Sequence, residues 1–225
     1  MRRPYIISIE GNIGSGKSRL YNNLKHLYTD RKEVYFVPEP VKEWSNIVDS
    51  YGTPILNNFY YNTKRYAFRF QMMAYISRLS ILRQAMKREC SVIITERCLQ
   101  SDKNVFAKML YDEGNIEHDE YQIYTMWFNE FSKELNPDHI IYMKTSPQVC
   151  QDRIKSRGRD GEETIPLNYL RICHNYHNNW LDPIQQEKDI TILNGDTNVN
   201  THKETQQHWV NTLKEKIKIR LKDIS

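Results

Sequence analysis

Eight residues near the start of the chain, Gly11-Asn12-Ile13-Gly14-Ser15-Gly16-Lys17-Ser18, fit the pattern G-x-x-x-x-G-K-[ST]. Glycines at such spacing let successive backbone N–H groups turn inward around phosphate oxygens, and a helix opening there adds partial positive charge. Lys17 would reach the β- and γ-phosphates of a triphosphate, and Ser18 would offer its hydroxyl to Mg²⁺. The chain has only eight glycines, and three of them fall between positions 11 and 16, so backbone must come close to something there. Binding of a nucleoside triphosphate is the chemistry implied.

Two further places carry paired chemistry. Pro38-Glu39-Pro40-Val41, with Trp44 just beyond, holds one carboxylate; Thr95-Glu96-Arg97-Cys98 holds an acid beside a base. Alone, the first reads more readily as a rigid surface turn and the second as a surface ion pair. Both follow apolar runs, however, and ligands of open parallel sheets gather outside the carboxyl ends of strands. A basic stretch, Arg153, Arg157 and Arg159, runs through Gly158 to Gly161. It is either a solvated helix end or a lid whose arginines meet the charge that develops in phosphoryl transfer.

The elements that must position these groups alternate. Apolar, β-branched runs at Tyr5–Glu10, Val34–Val37, Val92–Thr95, Ile140–Met143 and Ile190–Leu193 have strand length and composition. Helical patterns lie between them at 19–28, 64–88, 101–111, 118–135, 146–156, 166–187 and 202–222. The order predicts an α/β fold, a five-stranded parallel sheet with helices on both faces and a helical lid near 153–165. In the helix at 64–88, Phe68, Met72, Tyr75, Leu79, Leu82 and Met86 make one apolar stripe. Gln71, Ala74 and Arg78 share a second face, about 100° away, open to solvent or to a ligand. The last helix carries Trp209, Leu213, Ile217 and Leu221 on one side.

No repeat, low-complexity segment or linker divides the chain, so residues 1–225 are expected to form one domain. The net charge of +4 is too small to imply a nucleic-acid surface. No apolar run approaches the roughly 18–20 residues that span a membrane. Met1-Arg2-Arg3-Pro4 runs straight into the first strand, too soon for a cleaved signal sequence. Cys90, Cys98, Cys150 and Cys173 stand far apart, as reduced thiols of a cytoplasmic protein would.

Together these motifs resemble the deoxynucleoside kinase family, in particular its deoxycytidine and deoxyguanosine kinase branch. The resemblance covers nearly the whole chain: Gly11–Ser18, Pro38-Glu39-Pro40-Val41 with Trp44, Phe70-Gln71 with Arg78, Glu96-Arg97 with Ser101-Asp102, and Arg153 through Arg157-Gly158-Arg159 to Ile165-Pro166-Leu167. It implies a P-loop kinase fold and phosphorylation of a deoxynucleoside 5′-hydroxyl by ATP or another triphosphate with Mg²⁺. By that resemblance Glu39 is the general base, Arg97 its orienting partner, and Glu96 joins Ser18 at the metal. Gln71 meets the base edge, with Trp44, Leu56, Phe70, Ala74 and Phe106 as walls. Tyr60 and Glu162 hold the 3′-hydroxyl, and Arg153, Arg157 and Arg159 grip the donor phosphates.

Two positions depart from the family pattern. Cys98 stands where Ser is common, which suggests a thiol exposed near the site. Gly161 stands where an acid is frequent, leaving Glu162 or Glu163 as the sugar contact, with ungapped counting favouring Glu162. Arg78 with Asp102, beside Ala74, implies preference for deoxycytidine or deoxypurines over thymidine, because the pair donates and accepts at the base edge and narrows the space for a 5-methyl group. Relatives are commonly homodimers. Two other readings share the loop: a nucleoside monophosphate kinase such as thymidylate kinase, and a nucleotide-binding subunit without catalysis. The first needs cations for an acceptor phosphate where Glu39 stands; the second gives no reason to hold Lys17, Ser18, Glu39, Glu96 and Arg97 together.

Overall fold

A computed structural model of the chain describes residues 3–159, 161–162, 164–186, 189–197 and 202–222. Five strands, β1 (Tyr5–Glu10), β2 (Val34–Val37), β3 (Val92–Glu96), β4 (His139–Lys144) and β5 (Asp189–Asn194), pair in parallel in the order β2-β3-β1-β4-β5. Each matches an expected strand to within one residue at either end. The central strands β1, β3 and β4 are buried along nearly their whole length, as strands covered on both faces must be.

One face packs Ile7, Ile9, Ile94, Ile141 and Met143 against α1 (Lys17–Leu27) and the last helix of the chain. The other packs Ile6 and Ile93 against Tyr75, Leu79 and Leu82 of a long helix over 63–86. The expected apolar stripe therefore lies on the sheet, and the last helix buries Trp209, Leu213 and Ile217. Register fixes what stands at the carboxyl end. Val37 pairs with Thr95 and Ile9 with Glu96, so Glu39, Arg97 and the loop after Glu10 emerge side by side.

Two short helices were not legible as periodic patterns: α2 (Val41–Trp44) and α3 (Ile55–Tyr61). Each follows a proline, Pro40 or Pro54, whose fixed φ suits a helix entry. Asn62 then ends α3 and caps α4 (Thr63–Met86), its side chain accepting the Arg65 N–H at 3.2 Å. Next come α5 (Leu99–Ser101), a π-helical stretch Asp102–Ala107 and α6 (Lys108–Asp112), one continuous helical run. The wider π turn includes Asp102 and Phe106, both of which reach the site below.

α7 (His118–Phe131) ends earlier than the pattern implied and gives way to a 3₁₀ turn, Lys133–Leu135. α8 (Pro147–Arg157) stops at Gly158, whose φ of +60° is the left-handed cap glycine tolerates best. Among the described residues of the lid expected over 153–165, the helix runs only to Arg157. α9 (Leu167–Leu181) and α10 (Lys203–Lys222) complete the chain, α9 ending six residues before the expected boundary.

His177 of α9 is fully buried, stacked on Tyr142 with centroids 5.9 Å apart. Its Nδ1 lies 2.7 Å from the Cys173 carbonyl oxygen, to which it donates, while Nε2 is buried without a partner among the described residues. Burial, with the charge of Arg97 second, holds its pKa well below the ordinary value. In the unfolded chain the ring titrates near 6.5. Below that pH the unfolded state takes up a proton that the native state refuses, so stability falls with pH until the folded pKa is passed. The loss is expected to be about 1.4 kcal/mol per pH unit. Denaturant titrations from pH 7.5 to 5.5 check it: His177→Phe should reduce the slope by that share and leave the shares of His139 and His174, which burial also holds below the ordinary value.

Candidate active site

The loop Gly11–Ser18 leaves β1 and opens α1 at Gly16. Gly14 has φ +77°, and a Cβ there would stand 2.5 Å from the Cys150 carbonyl oxygen. At Gly11 (φ +144°) it would meet the Met143 carbonyl at 2.6 Å. Glycine is needed because the loop is pressed against β4 and α8. Asn12 and Ser15 are buried shapers of the loop. Asn12 donates to the Leu170 carbonyl (2.8 Å) and accepts the Ile13 N–H (2.8 Å). Lys17 donates to the Asn12 carbonyl at 2.7 Å. Burial first, then Arg97, lowers the Lys17 pKa to about 8, against the opposing pull of Glu96 and Glu39.

Above the loop lies a cavity of about 460 Å³, a size suited to a small-molecule ligand. Lys17, Ser18, Glu39, Glu96, Arg97, Arg78 and Asp102 all line it. Glu39 Oε1 is 3.2 Å from both Arg78 Nη2 and Arg97 Nε. Burial is the largest single influence on Glu39 and pushes its pKa up, but Arg97, Arg78 and Lys17 together outweigh it and hold the carboxyl below the usual range. Arg78 spends its other donors on Asp102 Oδ2 (2.8 Å) and the Glu96 carbonyl (2.9 Å).

Arg97 has φ +66°, the only non-glycine residue in the left-handed region among the described residues. That conformation costs about 1–2 kcal/mol. Its guanidinium lies 4.8 Å over the Phe106 ring, and Nη1 is buried with no hydrogen-bond partner among the described residues. A donor in that state suits an incoming oxygen.

Ser18 Oγ donates to Glu96 Oε1 at 2.6 Å. Two hard oxygens beside a glycine-rich loop of this form fit Mg²⁺, which takes few protein ligands and keeps water and phosphate as the rest. Among the described residues, no group of three or more His, Cys, Asp or Glu gathers as a metal cluster.

The far end of the cavity is apolar. Trp44 meets Phe70 edge-on (5.5 Å), Phe70 stacks on Phe59 (4.7 Å), and Tyr60 meets Tyr169 edge-on (6.3 Å). Leu56, Ala74 and Phe106 close the wall, and buried Gln71 faces in between them. The second face of α4 is therefore a cavity wall and not a solvated one. Phe59, Tyr169, Val41 and Arg19 also line the cavity and were not anticipated. The prolines before α2 and α3 were the available signal for Val41 and Phe59; Tyr169 had none.

At the mouth, Arg153 donates to the Ser15 carbonyl (3.2 Å), and Glu162 is buried in ion pairs with Arg157 and with Arg159 (3.0 Å). Glu163 lies outside the described residues. The thiol of Cys98 is not exposed: the side chain is buried, and burial followed by the neighbouring Glu10 charge pushes its pKa well above normal. The turn at Arg97 directs it inward.

A family model described as deoxynucleoside kinase matches residues 7–218. The chain is 37% identical over 219 residues to deoxycytidine kinase 2 of Gallus gallus, covering 85% of this chain and 82% of that protein. It is 36% identical over 196 residues to deoxycytidine kinase of Homo sapiens (78% and 74% covered). Against deoxycytidine kinase of Rattus norvegicus the identity is 33% over 236 residues (93% and 89% covered).

Proposed function

The chain belongs to the deoxynucleoside kinase family, and from that membership we propose how its cavity divides the work of phosphorylating a deoxynucleoside. Glu39 takes the proton of the sugar 5′-hydroxyl as the oxygen–phosphorus bond forms. The bond from the γ-phosphorus to the bridging oxygen breaks, and a nucleoside diphosphate leaves, with ATP as the donor. The observation that carries this reading is Glu39 Oε1, 3.2 Å from both Arg78 and Arg97 in the cavity that Lys17 also lines. Phosphoryl transfer asks for positioning and cations more than covalent chemistry, and those groups supply both.

A low carboxyl pKa makes a poor base. A bound triphosphate brings several negative charges against Lys17 and the arginines, which relaxes their hold on Glu39 and raises it toward working pH. Arg97 orients the carboxylate and the hydroxyl. Lys17, the loop amides, Arg153, Arg157 and Arg159 hold the donor phosphates. Ser18 and Glu96 would hold Mg²⁺, which when bound would neutralise charge on the phosphate oxygens. Tyr60 and Glu162 hold the 3′-hydroxyl; because Glu162 is paired with Arg157 and Arg159, sugar and phosphate ends are coupled.

Gln71 reads the base between Phe70, Trp44 and Leu56, and the Arg78–Asp102 pair favours deoxycytidine and deoxypurines over thymidine. A four-nucleoside screen with ATP and Mg²⁺ tests the assignment; highest kcat/KM for thymidine refutes the preference. Arg78→Met with Asp102→Ala should shift the ratio toward thymidine by about tenfold or more, on the order of the 1.4 kcal/mol that one buried polar contact contributes. It should also lower absolute turnover, since Arg78 holds Glu39. A homodimer is supported by Ile123, Met126 and Trp127, exposed on one side of α7, and light scattering at micromolar concentration reads it out. A cytoplasmic location is supported by four free cysteines, three of them buried.

A further inference from the structure

Glu10, the last residue of β1, is fully buried and has no place in the chemistry described so far. Its Oε1 accepts hydrogen bonds from the Ser8 hydroxyl and, at 2.8 Å, from the Cys98 backbone N–H. Its Oε2 is buried without a hydrogen-bond partner among the described residues. A buried carboxylate is costly where an apolar side chain would fill the same space. What it gives in return is an acceptor for the amide that follows Arg97.

That amide matters because of the turn. Arg97 in the left-handed region reverses the chain after β3, which aims the next N–H into the sheet instead of along it. Three hydrogen bonds secure the reversal: Arg97 N–H to the Ile9 carbonyl (3.1 Å), Thr95 Oγ1 to the Arg97 carbonyl (2.8 Å), and Cys98 N–H to Glu10. Only the last uses a side chain from another strand. Arg97 then presents Nε to Glu39 Oε1 and lies over Phe106.

We propose that Glu10 is a positioning residue: by accepting the Cys98 N–H it holds Arg97 in the left-handed turn that carries its guanidinium to Glu39. The proposal rests on the roles given above to Arg97 and Glu39. A ligand misplaced by about 1 Å can cost on the order of 10²-fold in rate, so the effect on turnover is large.

The test is a double-mutant cycle with Glu10→Met, which keeps length and removes the acceptor, and Arg97→Ala, reading kcat, both KM values and thermal unfolding. Glu10→Met should lower kcat by about 30–100-fold and leave the donor KM within about twofold. Glu10→Gln, whose Oε1 still accepts from Cys98, should keep at least about a third of wild-type kcat. In the Arg97→Ala background, Glu10→Met should cost less than about threefold more, because Glu10 acts through Arg97. Equal losses in both backgrounds, a Gln variant as poor as Met, or wild-type kcat in Glu10→Met overturns the proposal. Wild-type turnover in Arg97→Ala overturns its premise instead, and so separates the two. Should Glu10→Met fail to fold, Glu10→Asp, which withdraws the acceptor by one methylene, replaces it under the same criteria.

Discussion

Glu39→Gln is expected to lower kcat by about 10²–10⁴-fold, the range for removing a positioned general base. The choice of Gln is deliberate. Its amide oxygen can still accept from Arg78 and Arg97, which both lie 3.2 Å from Glu39 Oε1, so the network keeps its shape and loses only the ability to take a proton. Nucleoside KM should move by less than about threefold, since the loss belongs to the transition state. Steady-state kinetics with deoxycytidine and ATP, beside a thermal unfolding curve, decides it. A variant that folds and turns over at the wild-type rate removes Glu39 from the role of base.

Lys17→Met should divide activity from stability. The ammonium is buried, donates to the Asn12 carbonyl, and forms no ion pair among the described residues. Burial already weakens its hold on the proton, lowering its pKa to about 8. Removing it should cost about 10²–10³-fold in kcat/KM for the donor, as for other preorganised groups facing developing charge. The same change replaces a desolvated charge by an apolar side chain of similar length, which is often neutral or stabilising. The unfolding midpoint should therefore hold or rise, by about 2–4 °C for each kcal/mol gained. Loss of activity together with a collapse in midpoint would mean that Lys17 is a structural residue first.

The centre of the sheet was legible in the sequence because β1, β3 and β4 are buried along nearly their whole length and so read as apolar runs, while the edge strands β2 and β5 were legible from their β-branched and aromatic residues. The loop was legible because glycine is the residue that tolerates left-handed backbone pressed against Met143 and Cys150. Short helices were not: α2 and α3 have four and seven residues, too few for a period to repeat. Phe59 and Val41 were missed with them, since the prolines mark where these helices start but not how they dock, and Tyr169 of α9 reaches the cavity through tertiary packing alone. The left-handed turn at Arg97 was equally silent, because arginine has no preference for it and only the partners at Ile9, Thr95 and Glu10 impose it.

The three-way engagement of Arg78 has an evolutionary consequence. One guanidinium touches Asp102, the Glu96 carbonyl and Glu39, which under the roles proposed above belong to the nucleobase end, the phosphate end and the proton acceptor between them. On that proposal, changes that relax discrimination among bases at this position disturb the proton acceptor as well, so a lineage drifting toward broader diet would slow down before it sped up. Laboratory selection for new nucleoside analogues should accordingly recruit changes at the aromatic walls first and reach Arg78 late, accompanied by repairs around Glu39.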